Sequence, residues 1–309
     1  MNILNLIRWK NLGMMALMQY LIKYAMLVPF VVPYGVDITL NGFGFSLLVL
    51  ATLSIAAAGY IINDIYDVET DLVNKPDKVI VGKSVSEKTA YTLFIVFNVI
   101  GVLIGFYLSH LVGRSGFFAL FVIISGLLYI YASYLKRLLL VGNIVISILV
   151  AMSLLLVGLF ELLPAVTVQN QETQLTFFKI IFDYAVFAFS LNLLREMIKD
   201  IEDIDGDYKS GMNTLPIALG RDRASKITFV FAIVPLLIVI HYVITYMYSQ
   251  LYVVIYFLAL VIAPLIFLII KLYMAKTKKD FTFLSSLVKL IMLFGMLSLV
   301  LYKFVLLES

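Results

Sequence analysis

The chain has 309 residues, 63% of them hydrophobic and 14% charged, with a formal net charge of +4. That balance excludes an ordinary soluble domain and predicts an all-α, polytopic membrane protein. The absence of cysteine excludes disulfides, thiol catalysis and zinc–cysteine sites. The small basic excess suits anchoring to anionic lipid, and no nucleic-acid motif is present.

From the N-terminus, residues 2–10 read as a short interfacial helix with Ile3, Leu4, Leu6 and Ile7 facing lipid. Nine apolar runs follow, at roughly 13–33, 43–62, 91–112, 116–135, 138–160, 177–198, 227–247, 251–271 and 284–304. Each is near the ~20 residues needed to cross the hydrocarbon. The first lacks a small-residue cleavage site and reads as a retained span. The second leads into NDIYDVETD (63–71) and the sixth into DIEDIDGD (200–207). Lys136-Arg137 separates the fourth run from the fifth. No Pro/Ser-rich linker interrupts the chain, so 1–309 reads as one transmembrane domain.

Placing the N-terminus inside puts 18 of the 23 Lys and Arg residues on one side. The opposite connections 34–42 and 248–250 have none, and 113–115 has only Arg114. This is the positive-inside pattern. It predicts an integral cell-membrane protein with its C-terminus outside and both acidic segments at the cytoplasmic face. Each aspartate of 64, 67 and 71 precedes its counterpart of 200, 203 and 207 by 136 residues. That offset predicts two homologous halves plus one extra helix.

Both aspartate trios have spacing i, i+3, i+7, which on one continuous helix sets three carboxylates on one face. Of the 19 acidic residues, 13 fall within 64–87 and 196–222. Like charges ~6 Å apart at an effective dielectric of ~20 repel by roughly 3 kcal/mol. Solvated loops would not call for such crowding. Lysines can compensate part of it, and Mg²⁺ does so better, because it takes oxygen ligands and bridges carboxylates to phosphate. An ion pathway is disfavoured because the acids cluster at one face; Lys23, Glu161, Asp183 and Lys289 are the few ionisable groups near or within other spans. The DG-initiated, Ala-Arg-containing pattern of the CDP-alcohol phosphotransferases is absent.

These residues resemble the UbiA superfamily of intramembrane prenyltransferases. NDIYDVETD fits its NDxxDxxxD motif and DIEDIDGD its second, DxxDxxxD-type motif. NKPDKVIVGKSVS (74–86), YASYLKRLLLVGN (131–143), GMNTLPIALG (211–220) and IRWKN (7–11) resemble further stretches in the same order. Lys78-Val79-Ile80-Val81 stands where the family has Arg-Pro-Ile-Pro, and Trp9 replaces its proline. The stretch 195–220 is most similar to the archaeal-type geranylgeranylglyceryl phosphate geranylgeranyltransferases.

The resemblance implies a nine-helix bundle around a central cavity and Mg²⁺-dependent prenyl transfer from a diphosphate donor. A prenylglyceryl phosphate is the expected acceptor, giving an ether lipid and diphosphate; an aromatic acceptor is the alternative. Asp64, Asp67 and Asp71 would serve one metal and Asp200, Asp203 and Asp207 the other, with Asn63 ligating or orienting the first trio. Lys75, Lys78, Lys136 and Arg137 are candidates for phosphate contacts, although Lys136-Arg137 reads equally well as an interface anchor. Arg8 and Asn11 match positions at the pocket mouth. Tyr131, with Tyr60, Tyr66 and Tyr134, could shield a carbocation. Asn143 reads as an interhelical hydrogen-bond partner, His110 and His241 as structural. Gly42, Gly59 and Gly101, with the Ala56-Ala57-Ala58 run, read as positions that allow close helix approach or leave room for a lipid tail. No obligate protein partner is expected.

Overall fold

A computed structural model describes residues 2–307. Among these it has nine helices long and apolar enough to cross a membrane: α1 (Trp9–Tyr34), α2 (Gly42–Tyr66), α3 (Glu87–Leu111), α4 (Ser115–Ser133), α5 (Val141–Ala165), α6 (Gln171–Glu202), α7 (Arg221–Met247), α8 (Leu251–Met274) and α9 (Lys278–Leu307). Each expected apolar run falls largely within one of them. Most helices extend past their runs by a first or last turn, several of them polar, as at 87–90, 221–226 and 278–283. Some starts are capped by side chains: Asn41 accepts from the Gly44 N–H at 2.8 Å, and Thr277 and Asp280 form a capping box for α9.

The fold is an all-α bundle. α2 packs along α3 and α4, α6 packs between α5 and α9, and α1 touches α2, α5 and α9 to close the ring. Gly101 supports the close approach of α3 to α2, since a Cβ there would lie 3.0 Å from the Ala51 carbonyl oxygen. α1 is not uniform: Ile22–Leu27 is a π turn and Val28–Phe30 a 3₁₀ turn containing Pro29. The π turn carries Lys23, whose ammonium donates to Glu161 Oε1 of α5 at 2.7 Å and to the Leu40 carbonyl.

The N-terminal arm departs from expectation. Helix Asn2–Leu6 ends before Arg8, which adopts a left-handed conformation (φ 51°). Leu6 does not face lipid; it is buried against Ile61, Val81, Val85 and Ala90. This small second core brings the arm and the strap 79–86 onto the end of α2, next to the acidic segments.

Candidate active site

The helix ends at each acidic segment are breaks. Asp67 (φ −97°, ψ 1°) follows α2 and Asp203 (φ −99°, ψ 9°) follows α6. Both occupy the sparsely populated bridge region, in nearly the same conformation. Short helices Val68–Asn74 and Ile204–Lys209 begin immediately afterwards. The expectation of three carboxylates on one helix face is therefore corrected: each trio is split between a long helix, a break and a short helix. The breaks let the two short helices pack against each other.

A side-chain latch joins them. Asn74 donates Nδ2–H to the Asp203 carbonyl at 2.9 Å, and its Oδ1 accepts from the Gly206 N–H at 2.9 Å. The Thr70 and Ser210 hydroxyls lie 2.6 Å apart. A Cβ on Gly206 would sit 2.3 Å from Asn74 Nδ2, so this contact requires glycine. Lys278 Nζ donates to the Asn74 carbonyl at 2.9 Å, tying the start of α9 to the latch. Neither Asn74 nor Gly206 stood out in the sequence; both fall inside the motif stretches, which was their only signal.

Protein cations and amides hold four of the six aspartates. Arg8 pairs with Asp64 at 2.7 Å and lies over the Tyr60 ring, 5.0 Å from its centroid. Lys136 pairs with Asp67 at 2.5 Å and donates to Asn63 Oδ1 at 3.3 Å, while Asn63 Nδ2 donates to Asp67 at 2.6 Å. Lys75 pairs with Asp203 at 2.7 Å, and Asn143 Nδ2 donates to Asp200 at 2.7 Å. Asn143 is thus interhelical as expected, and its partner is a site aspartate. Lys136 is mostly buried and acid-paired, so a free interface anchor does not describe it. Burial holds its ammonium below the ordinary lysine value despite the attraction of Asp67.

Among the described residues Asp71 and Asp207 have no such partner. Burial, then repulsion from Asp67 and Asp64, pushes Asp71 up to about 6. Burial, then Asp200, Asp203 and Asp67, pushes Asp207 up to about 8. The influence of Asp67 on Asp207 places the two segments in one electrostatic site. Asp203 Oδ1 is buried without a hydrogen-bond partner. An all-oxygen set with an orphaned carboxylate oxygen and two uncompensated acids fits hard divalent cations such as Mg²⁺. Among the described residues no group of three acids already forms a metal cage, because several carboxylates are drawn to lysine, arginine or asparagine instead.

A cavity of about 140 Å³ opens nearby, between α1, α2, α5, α6 and α9. Its wall includes Met14, Met18, Tyr60, Phe187, Met292 and Gly295, apolar and adaptable. Asn11 lines it, and so do Arg195 and Lys289, which sequence reasoning did not single out for the site. The signal for Lys289 was its lone charge in an apolar helix. Lys78 and Arg137 are exposed, and among the described residues neither side chain makes a hydrogen bond or ion pair; the Arg137 backbone is used, its carbonyl accepting from the Asn213 N–H at 2.9 Å. Tyr134 is exposed and Tyr66 pairs with Tyr129 at 3.3 Å, so neither lines the cavity. Tyr131 is half-buried, within electrostatic reach of Glu196, Asp67 and Asp200.

Comparison with known proteins agrees with this architecture. Digeranylgeranylglyceryl phosphate synthase of Sulfolobus acidocaldarius is 36% identical over 180 residues, 57% of this chain and 58% of that protein. The synthase of Thermococcus gammatolerans is 34% identical over 191 residues, 60% and 61% respectively. The chain thus spans about three fifths of the length of the curated relatives it matches. A solved structure of a digeranylgeranylglyceryl phosphate synthase superposes with a TM-score of 0.64 at 21% identity, covering 97% of this chain and 96% of that one. A UbiA homologue from Archaeoglobus fulgidus bound to GPP and Mg²⁺ superposes with a TM-score of 0.58 at 14% identity, covering 97% and 99%. The model of the UbiA prenyltransferase family matches residues 25–294, most of the sequence, and the chain belongs to that family.

Proposed function

We propose that this protein is a Mg²⁺-dependent prenyltransferase that moves an isoprenyl group, of geranylgeranyl type, from its diphosphate to the free hydroxyl of a prenylglyceryl phosphate. The observation that carries the reading is the latch of two acidic segments beside an apolar cavity. One end of the site suits a metal–diphosphate head, and the other suits a hydrocarbon tail. The names of the curated relatives support the glyceryl phosphate acceptor. The Archaeoglobus homologue, bound to a prenyl diphosphate and Mg²⁺, supports the donor and the metal.

The allylic C1–O bond breaks with its electron pair leaving on the diphosphate, and the acceptor oxygen gives a pair to C1 as its proton passes to a site carboxylate. Asp64, Asp67, Asp71, Asp200, Asp203 and Asp207 are the residues that would hold Mg²⁺, which when bound neutralises charge on the leaving diphosphate. Lys75, Lys136 and Arg8, already at the carboxylates, supply charge-assisted donors to the same head group. Tyr60 offers a π face to positive charge developing in the cavity. The apolar wall excludes water until the acceptor attacks. The basic asymmetry supports a cytoplasmic site. The matched breaks at Asp67 and Asp203 support two related halves.

The test offers labelled geranylgeranyl diphosphate to reconstituted protein together with prenylglyceryl phosphate or an aromatic acid, with and without Mg²⁺. The expected product is a dialkyl glyceryl phosphate, formed only with the metal. Product from the aromatic acid alone would overturn the acceptor, and no product from either would overturn the reaction class.

A further inference from the structure

The acidic breaks lie beside the cavity, whereas α6 and α9 line its wall with the opposite charge. Arg195 and Lys289 both line the cavity. Among the described residues Lys289 finds one polar partner, Asn11 Oδ1, at 3.3 Å. Arg195 donates through one terminal nitrogen to Glu196 at 2.8 Å, and its Nε is buried without a partner. The charged groups felt most strongly at Lys289 are three cations, Arg195, Lys199 and Arg8, against one carboxylate, Glu196. Glu196 is already shared between Arg195 and Lys199, at 2.8 and 2.9 Å, and Arg8 is committed to Asp64. A surplus of positive charge is therefore held among apolar helices, where an uncompensated ammonium is costly. Such an arrangement is suited to an anion that arrives with a ligand.

We infer that Lys289 and Arg195 bind the phosphate of the acceptor, with Asn11 and Asn192 of the same cavity wall as neutral donors. This rests on the prenylglyceryl phosphate reading above and assigns that acceptor's head group a place distinct from the donor's diphosphate. Three cations (Arg195, Lys199, Lys289) against one carboxylate (Glu196) leave two positive charges, which match a phosphate monoester dianion. A carboxylate, the anion of an aromatic acid, would leave one unmatched. Separation also has a physical basis. The donor head needs metal held by carboxylates, which repel a second phosphate, whereas the cationic wall accepts a phosphate without metal. Binding the two heads to separate groups beside one cavity brings the acceptor hydroxyl, close to its own phosphate, toward the donor's C1.

The experiment compares wild type, Lys289→Met and Lys289→Arg in lipid nanodiscs. It measures equilibrium binding of prenylglyceryl phosphate, of its dephosphorylated prenylglycerol, and of geranylgeranyl diphosphate with Mg²⁺. Lys289→Met is expected to weaken the phosphorylated acceptor roughly 10- to 100-fold, the scale of a lost charge-assisted hydrogen bond. It should leave prenylglycerol and donor binding unchanged, and Lys289→Arg should restore most of the loss. Unchanged donor binding also serves as the control for folding. Weaker donor binding with unaltered acceptor binding would overturn the assignment and give these cations to the diphosphate. Equal acceptor binding in wild type and Lys289→Met would overturn the site while leaving the reaction intact. A wild type that binds no phosphorylated acceptor would overturn the function reading, and this site with it.

Discussion

Asp71 and Asp207 keep their protons to about 6 and about 8, against an ordinary 3.8. The folded chain therefore binds those protons more tightly than the unfolded chain. Their contribution to stability is greatest at low pH, falls as pH rises above the unfolded value, and reaches its minimum above the folded values. A divalent cation competes with the same protons, so it binds better as pH rises. The Mg²⁺-induced gain in Tm should accordingly grow between about pH 6 and about pH 8.5, and Asp207→Asn should remove most of that growth. A gain independent of pH would contradict the placement of cations at these carboxylates. The acids themselves were legible from their spacing. Their inequality was not, because it depends on which of them Arg8, Lys75, Lys136 and Asn143 reach from distant parts of the chain.

At the scale of elements, the latch between Val68–Asn74 and Ile204–Lys209 determines whether two acidic segments act as one site. Asn74→Ala would strip a partner from the Gly206 N–H and another from the Asp203 carbonyl. Loss of such hydrogen bonds costs about 1–3 kcal/mol, so Tm should fall. The Mg²⁺ needed for half-maximal stabilisation should rise roughly tenfold, the equivalent of about 1.4 kcal/mol. Gly206→Ala should reproduce the effect by pushing Asn74 out. A variant with wild-type Tm and metal midpoint would show that the segments hold together without the latch. The helix breaks escaped the sequence because i, i+3, i+7 spacing reads the same whether or not the helix turns at the middle aspartate. Asn74 escaped because its partners lie 129 and 132 residues away.

At the scale of the molecule, all nine membrane-length helices among the described residues were legible, since hydropathy over ~20 residues is a strong signal. The cavity was not, because lining residues such as Asn11, Arg195 and Lys289 come from three different helices and meet only on packing. Orientation is open to direct measurement, as the chain has no cysteine to give background. Asp77→Cys, exposed at the acidic end, should react with an impermeant maleimide in inverted vesicles. Val168→Cys, 82% exposed in the connection between α5 and α6, should react in right-side-out vesicles. The reverse pattern would place the site outside. The Lys23–Glu161 pair, 2% and 0% exposed, carries a consequence for biogenesis. Lys23 enters the bilayer with the first helix, and an intramembrane lysine costs about 2.5–3.5 kcal/mol on insertion scales. Its counter-ion is translated 138 residues later, with the fifth helix. The nascent chain must therefore tolerate a lone ammonium until more than half of the polypeptide has left the ribosome, and closure of the ring waits on that moment.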